Sequence, residues 1–293
     1  MVYKRTASDW ILDSIVFTVV IFSMIITVYP FIYTLSMSIS NPLYAASNMV
    51  FLWPRGFSIE AFRMIFDDAE IWRHYYNTLW YTGVGTTINV IVTVISAYPL
   101  SRKRFFLRRH LMKFIALTMF FSGGLVPMFI LINSLGMFNT RWAIVVPAAI
   151  STFNLIICRS FFESIEDSLE DAARIDGASQ FKILFRIFIP ISKPIVAVLV
   201  LFYAVAHWNS FFPALLFLHD RALHPLQIYL RNVLVLATQA AVGDVGIGGL
   251  ARSLAVLQLR YAVVIVTILP IICVYPFLQK YFVKGVMIGA VKG

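Results

Sequence analysis

The sequence predicts an all-α polytopic membrane protein, with six helices crossing the bilayer and a charged loop between the fourth and the fifth. Three observations predict it. Of 293 residues, 60% are hydrophobic and only 13% are charged, about half the charge of an ordinary soluble domain. The apolar residues gather into runs near the ~20 that a helix needs to cross hydrocarbon. Lys and Arg outnumber Asp and Glu by 24 to 14 and cluster in particular loops, as the positive-inside rule expects.

The first span runs from about Trp10 to Ser38, with Lys4 and Arg5 before it and Pro30 inside it. It is too long for a signal-peptide core of roughly 7–15 residues, so it reads as a retained anchor. An external segment, 39–75, follows with Asn41-Pro42, Pro54-Arg55-Gly56 and the acidic group Asp67, Asp68 and Glu70. Its Phe57, Ile59, Phe62 and Ile65 point to partial burial or interfacial packing. The second span is about Tyr76 to Leu100 and ends at the densest basic cluster: Arg102, Lys103, Arg104, Arg108 and Arg109. That cluster reads as a topology signal, or as a binder of anionic lipid.

The third span is about Leu111 to Asn133, with Gly123, Gly124 and Pro127 inside, and the fourth about Arg141 to Ser160, interrupted by Pro147. The fifth, about Ile195 to Leu218, carries His207, Trp208, Asn209 and Pro213. Residues 219–260 read as an external interfacial helix and a glycine-rich loop, and Tyr261 to Phe282 as the sixth span, with Pro270 and Pro276. The whole chain, 1–293, reads as one membrane domain. Sixteen of the 24 Lys and Arg then fall with both termini and the loops at 101–113 and 161–194, and eight on the other face. That bias places both termini in the cytoplasm. A seventh span at 226–242 would put Lys280, Lys284 and Lys292 outside.

The loop at 161–194 is the most informative stretch. Ser168 with Asp171 matches an S-x-x-D capping box, so a first helix is expected to start at Ser168. Gly177 is placed to end it in the left-handed conformation, and Ser179 to cap a second helix. Phe181, Leu184, Phe185 and Phe188 would form one apolar face of that helix, with Lys182 and Arg186 on another and Pro190 and Pro194 stopping it. Such a piece either fits a groove on another protein or lies on lipid headgroups.

The sequence also bears on what drives the protein. Asp and Glu are missing from the second to sixth spans, and Asp9 and Asp13 stand only at the entrance to the first. Ion-coupled carriers usually need intramembrane carboxylates. There is no G-x-x-x-x-G-K-[ST] phosphate loop either. A transporter with neither engine must borrow one; the alternative is a self-contained secondary carrier or channel. A membrane-embedded enzyme would need a cluster of nucleophile, base or metal ligands, and His207 stands alone in its span. Cys158 and Cys273 have no metal-ligand or disulfide-framework spacing and read as packing residues.

The run Asp171-Ala172-Ala173-x-x-Asp176-Gly177-Ala178, followed by Ile189-Pro190 and Pro194, resembles the EAA loop of ABC importer permeases of the type I fold, with Asp171 where that family has Glu and Glu170 just before it. The resemblance implies a coupling helix docked on an ATPase subunit, with Glu170, Asp171, Ala172, Ala173, Asp176, Gly177 and Ala178 at the contact. Trp208-Asn209 with Pro213, and the tail from Gln279 to Gly293, are similar to the carbohydrate-uptake branch, in the subunit type equivalent to the maltose G permease. Within it, the similarity is to importers of oligosaccharides, alginate among them. That implies a second, different permease, two ATPase subunits that bind ATP and Mg, an external solute-binding protein and a carbohydrate substrate. No cofactor bound to this chain and no nucleic-acid partner is implied. The location implied is the cell membrane, the inner one where there are two. His207, Trp208 and Asn209 are the candidates for a sugar-lined cavity, since rings stack on sugars and amides bond hydroxyls; the alternative is interhelical packing.

Overall fold

The computed structural model describes residues 6–121, 123–242, 256, 258–274 and 276, and among these the secondary structure is entirely helical. The chain divides into two compact units, residues 1–69 with 230–269 and residues 70–229 with 270–293.

The first unit opens on α1 (Ala7–Ser38), started by a capping box between Thr6 and Asp9. Pro30 does not break it. The helix is exposed along most of its length, and Ser36, Met37 and Ser38 at its end are buried. Asn41 caps the short α2 (Pro42–Ala46) through the Leu43 N–H at 3.0 Å, and α3 (Glu60–Asp67) follows. Between them the chain folds back on itself. The Ser58 N–H donates to the Ile39 carbonyl and the Asn41 N–H to that of Arg55, both at 2.9 Å. Ala61 and Ile65 are buried, whereas Phe57 and Ile59 are exposed, so only part of the expected apolar set packs inward. The unit is completed by the later part of α14 (Leu226–Val242) and by α15 (Gln258–Val274) up to Leu269. Gln258 donates to the Ser38 carbonyl at 3.1 Å, and Tyr261 packs edge-on against Tyr33.

The second unit is organised around α4 (Ala69–Ser101). This helix begins several residues before the expected span, because Ala69 to Tyr75 continue the same helix outward. The third and fourth spans are each split. α5 (Arg108–Leu117) and α6 (Leu125–Ser134) are separated at Gly124, whose φ of 84° only glycine adopts readily. α7 (Trp142–Val145) and α8 (Thr152–Glu163) flank the break at Pro147. The loop at 161–194 forms α9 (Asp167–Ile175), α10 (Gln180–Ile183), a π-turn (Leu184–Phe188) and α11 (Ile189–Ile191). α12 (Lys193–Trp208) and α13 (Phe212–Phe217) follow, parted at Asn209. The chain bends by 83° between Gln180–Ile191 and Lys193–Trp208.

Among the described residues two helices, Ser8–Ser38 and Ala69–Ser101, are long and apolar enough to cross a membrane unaided, or three if the bent pair is one span. The other expected spans are assembled from shorter pieces. α14 is a 17-residue helix where an interfacial helix was expected. The glycine-rich loop after it and the tail Lys284 to Gly293 lie outside the described residues.

The core of the second unit lies under the loop. Ala97, Tyr98 and Leu100 of α4 pack with Leu155, Cys158 and Phe162 of α8, with Ala173 of α9, and with Ile183, Leu184 and Phe188. Phe188 is gripped edge-on by Tyr98 at 5.0 Å and by Phe162 at 5.7 Å between ring centroids, a geometry that adds to simple burial.

Candidate functional site

The loop at 161–194 is built much as its residues suggest, with two corrections. α9 starts at Asp167 with Glu166 as N-cap; no side chain caps it, and Ser168 bonds the Glu166 carboxylate at 3.3 Å instead. Asp167 and Glu170 still load the first turn and Arg174 the last, complementing the helix dipole. The end is a Schellman turn: Gly177 at φ 72°, its N–H on the Arg174 carbonyl and the Ala178 N–H on the Ala173 carbonyl, both 2.9 Å. Ser179 caps α10 through the Lys182 N–H, as expected. The second correction concerns the apolar face. α10 runs on into the π-turn, in which the Ile189 N–H reaches back to the Leu184 carbonyl. Ile183, Leu184 and Phe188 turn inward, while Phe181 and Phe185 remain 69% and 54% exposed.

Of the seven positions expected at a partner, Asp171, Ala172, Asp176 and Gly177 are exposed and Ala178 is half-buried. Ala173 packs in the core and Glu170 is buried. Glu170 holds Arg174 on one carboxylate oxygen and Arg102 on the other, the latter at 3.6 Å. Beside the exposed turn stand Ile175, 88% exposed, and Phe181.

Arg102 is not a free member of its basic cluster. It is buried, with Nε on Ser101 Oγ at 3.0 Å, Nη1 on Asp167 at 3.3 Å, Nη2 on the Phe162 carbonyl, and its guanidinium 4.7 Å from the Phe188 ring centre. In sequence it looks like its neighbours Lys103 and Arg104, so nothing local singles it out.

The second feature is a cleft of about 570 Å³ beside the breaks in the fourth and fifth spans, lined by Ser151, Asn154, Tyr203, His207, Asn209 and Phe212 among others. Among the described residues the lining contains no Asp, Glu, Lys or Arg. The structure divides the expected trio. His207 and Asn209 reach the cleft, whereas Trp208 lines a separate apolar pocket with Leu79, Leu201 and Pro270.

The cleft wall is held from α4 and α12. Asn89 donates to the Ala148 carbonyl, which leaves its own oxygen, 2.6 Å from His207 Nε2, as acceptor. His207 therefore donates through Nε2. The Tyr203 hydroxyl accepts from the Ser151 N–H at 3.0 Å and meets Thr93 Oγ1 at 2.7 Å. Backbone groups freed at the Pro147 break are thus satisfied by neighbouring helices, as a break at membrane depth requires. The His207 ring lies against Gly85, where a Cβ would overlap it.

Farther along α4, Asn77 donates to the Ala222 carbonyl at 2.7 Å and accepts from Arg141 at 2.9 Å, and Tyr81 donates to the Leu223 carbonyl at 2.9 Å. Arg141 also stacks over Trp80 at 5.0 Å. These polar groups are amides and hydroxyls, not the carboxylates that an ion-coupled carrier needs. Their signal is present in the sequence: His74, Asn77, Tyr81, Gly85, Asn89 and Thr93 recur at helical spacing along one face.

Comparison with known proteins agrees with this architecture. Residues 89–288 match the family described as "Binding-protein-dependent transport system inner membrane component". Protein LplC of Bacillus subtilis is 39% identical over 92% of this chain and 90% of its own length. The polygalacturonan/rhamnogalacturonan transport system permease protein YtcP of the same organism is 37% identical over 96% of this chain and 98% of its own. A chain of a bacterial ABC transporter involved in the import of the acidic polysaccharide alginate superposes with a TM-score of 0.86 at 34% identity, covering 96% of this chain and 99% of that one. A second solved chain, at 18% identity and a TM-score of 0.58, shares the fold. The chain belongs to the family of inner-membrane components of binding-protein-dependent transport systems, the permeases of ABC importers.

Proposed function

We propose that this chain is the non-catalytic permease subunit of an ATP-driven importer of oligosaccharides, with acidic, uronate-containing fragments as its substrate class. The observation that carries the substrate class is the likeness, over nearly the whole chain, to a permease for polygalacturonan and to the alginate importer. Both of those systems handle acidic polysaccharides. A cleft with no carboxylate among its described lining residues fits such a substrate, since none of them would repel it. The substrate arrives on an external solute-binding protein and leaves the cleft on the cytoplasmic side as the subunits rock.

The work is done by two partner ATPase subunits, which bind ATP and Mg, and a second, different permease completes the pathway. The ATPase docks on the turn formed by Asp171, Ala172, Asp176, Gly177 and Ala178, with Ile175 and Phe181 supplying apolar contact. Glu170 and Ala173 seat that turn on the rest of the chain. Both termini lie in the cytoplasm, in keeping with the Lys and Arg distribution.

The test is reconstitution in liposomes with candidate partners, measuring ATP-dependent uptake of labelled oligogalacturonate, for wild type and Gly177→Pro. Proline cannot adopt φ 72°, nor donate the bond to Arg174. The variant is expected to insert and pair with its fellow permease yet lose stimulated hydrolysis and uptake. Uptake that persists without any ATPase subunit would show a self-contained carrier instead.

A further inference from the structure

The position of Arg102 has a consequence for how motion crosses this subunit. Its guanidinium contacts three parts of the loop at 161–194. One arm is on the Phe162 carbonyl at the end of α8, another on Asp167 and Glu170 in the first turn of α9, and its face lies on Phe188 of the π-turn. Glu170 passes the network on to Arg174, whose side chain is 28% exposed in the last turn of α9. An unbroken set of charge-assisted contacts thus runs from the surface of α9 to the end of α4. Buried groups of this kind admit few geometries, because any slack leaves a charge unpaired in a poor solvent.

Arg102 follows directly on α4, which runs as one helix through Pro99. At ~1.5 Å per residue, Asn89 lies about 20 Å back along it. There Asn89 holds the Ala148 carbonyl at the break in the fourth span and accepts from His207 on the cleft wall. One helix is therefore held at its C-terminal end to the loop and near its middle to the cleft wall.

We infer that Arg102, with Glu170 and Arg174, is the positioning network that makes α4 move with α9, so that a push on the loop reshapes the cleft through Asn89. This rests on the reading of the loop as the ATPase docking element. The network does not dock the ATPase and touches no substrate; it sets how much of each ATPase stroke reaches the cleft.

The experiment compares wild type with Arg102→Met/Glu170→Gln, a pair chosen so that no buried carboxylate is left unpaired. The complete reconstituted complex is assayed for bound ATPase subunits, hydrolysis, and uptake of labelled oligogalacturonate. The expected result is ATPase subunits retained and basal hydrolysis kept, but substrate carried per ATP down by about tenfold, in the range by which network mutations alter coupling. Glu170→Gln alone, which keeps the side-chain shape, should lower the same ratio by a smaller factor, and decides the matter if the double variant fails to assemble. Lys103→Gln, which removes an exposed partner of Asp167, should leave it unchanged. A merely structural role would lower assembly, hydrolysis and uptake together at constant ratio, and that outcome overturns the inference. Failure of the wild-type chain to retain any ATPase subunit would instead overturn the docking reading beneath it.

Discussion

Substitution of Gly177 isolates one physical term. The residue has φ 72°, and a Cβ added there meets nothing within 4 Å in the chain. No steric clash within the chain therefore contributes, and the cost is that of holding an L-residue in the left-handed region, roughly 1–2 kcal/mol. Being exposed, the free loop can relax out of the turn; the docked loop cannot. The cost then appears in docking affinity. Gly177→Ala at about 1 kcal/mol predicts roughly fivefold weaker binding, and Gly177→Val at about 2 kcal/mol roughly thirtyfold. Gly177→Asn, whose short polar side chain tolerates this conformation, predicts less than about twofold. The assay is titration of the ATPase subunits against the permease pair in lipid nanodiscs. Equal losses for Asn and Ala would mean that the added Cβ strikes the partner, and that backbone conformation is not the reason for glycine. Val binding as tightly as Gly would mean that docking does not need the turn.

Four further outcomes follow from the packing of α4 and α8. Gly85→Ala places a Cβ on the His207 ring and should destabilise the detergent-solubilised protein by about 1–3 kcal/mol in thermal unfolding. Gly83→Ala, where the added atom meets open space, should stabilise by up to about 1 kcal/mol through helix propensity. Asn89→Leu strands the Ala148 carbonyl and the His207 N–H, so the same measurement should show a loss of roughly 1–3 kcal/mol. Cys158 is fully buried, and membrane-permeant N-ethylmaleimide should modify it only after denaturation; mass spectrometry of native and unfolded samples checks this.

Much of the loop was legible in the sequence because its signals are local. Gly177 is the residue that a left-handed position selects, and Ser179 has the side chain that reaches its own helix. The broken fourth span was foreshadowed by Pro147, which cannot continue a hydrogen-bonded ladder. Pro30 carries the same signal, yet α1 runs on through it. Whether a proline breaks a helix depends on whether neighbouring groups offer the freed backbone a better partner. At Pro147 the partners are Asn89 and Tyr203, which come from other helices.

The sequence by itself determined the membrane class, the approximate positions of the apolar runs and the turn at Gly177, because hydropathy and backbone sterics act within a few residues. Only the tertiary structure decided which arginine of the basic run goes inside, which phenylalanines of the second loop helix face out, and that His207 and Trp208 part to different pockets. Those choices depend on Glu170, Phe162, Tyr98 and Asn89 being brought by folding from other elements of the chain. A run of charges or rings carries its composition locally; which member is buried is settled by the partner that folding brings to it.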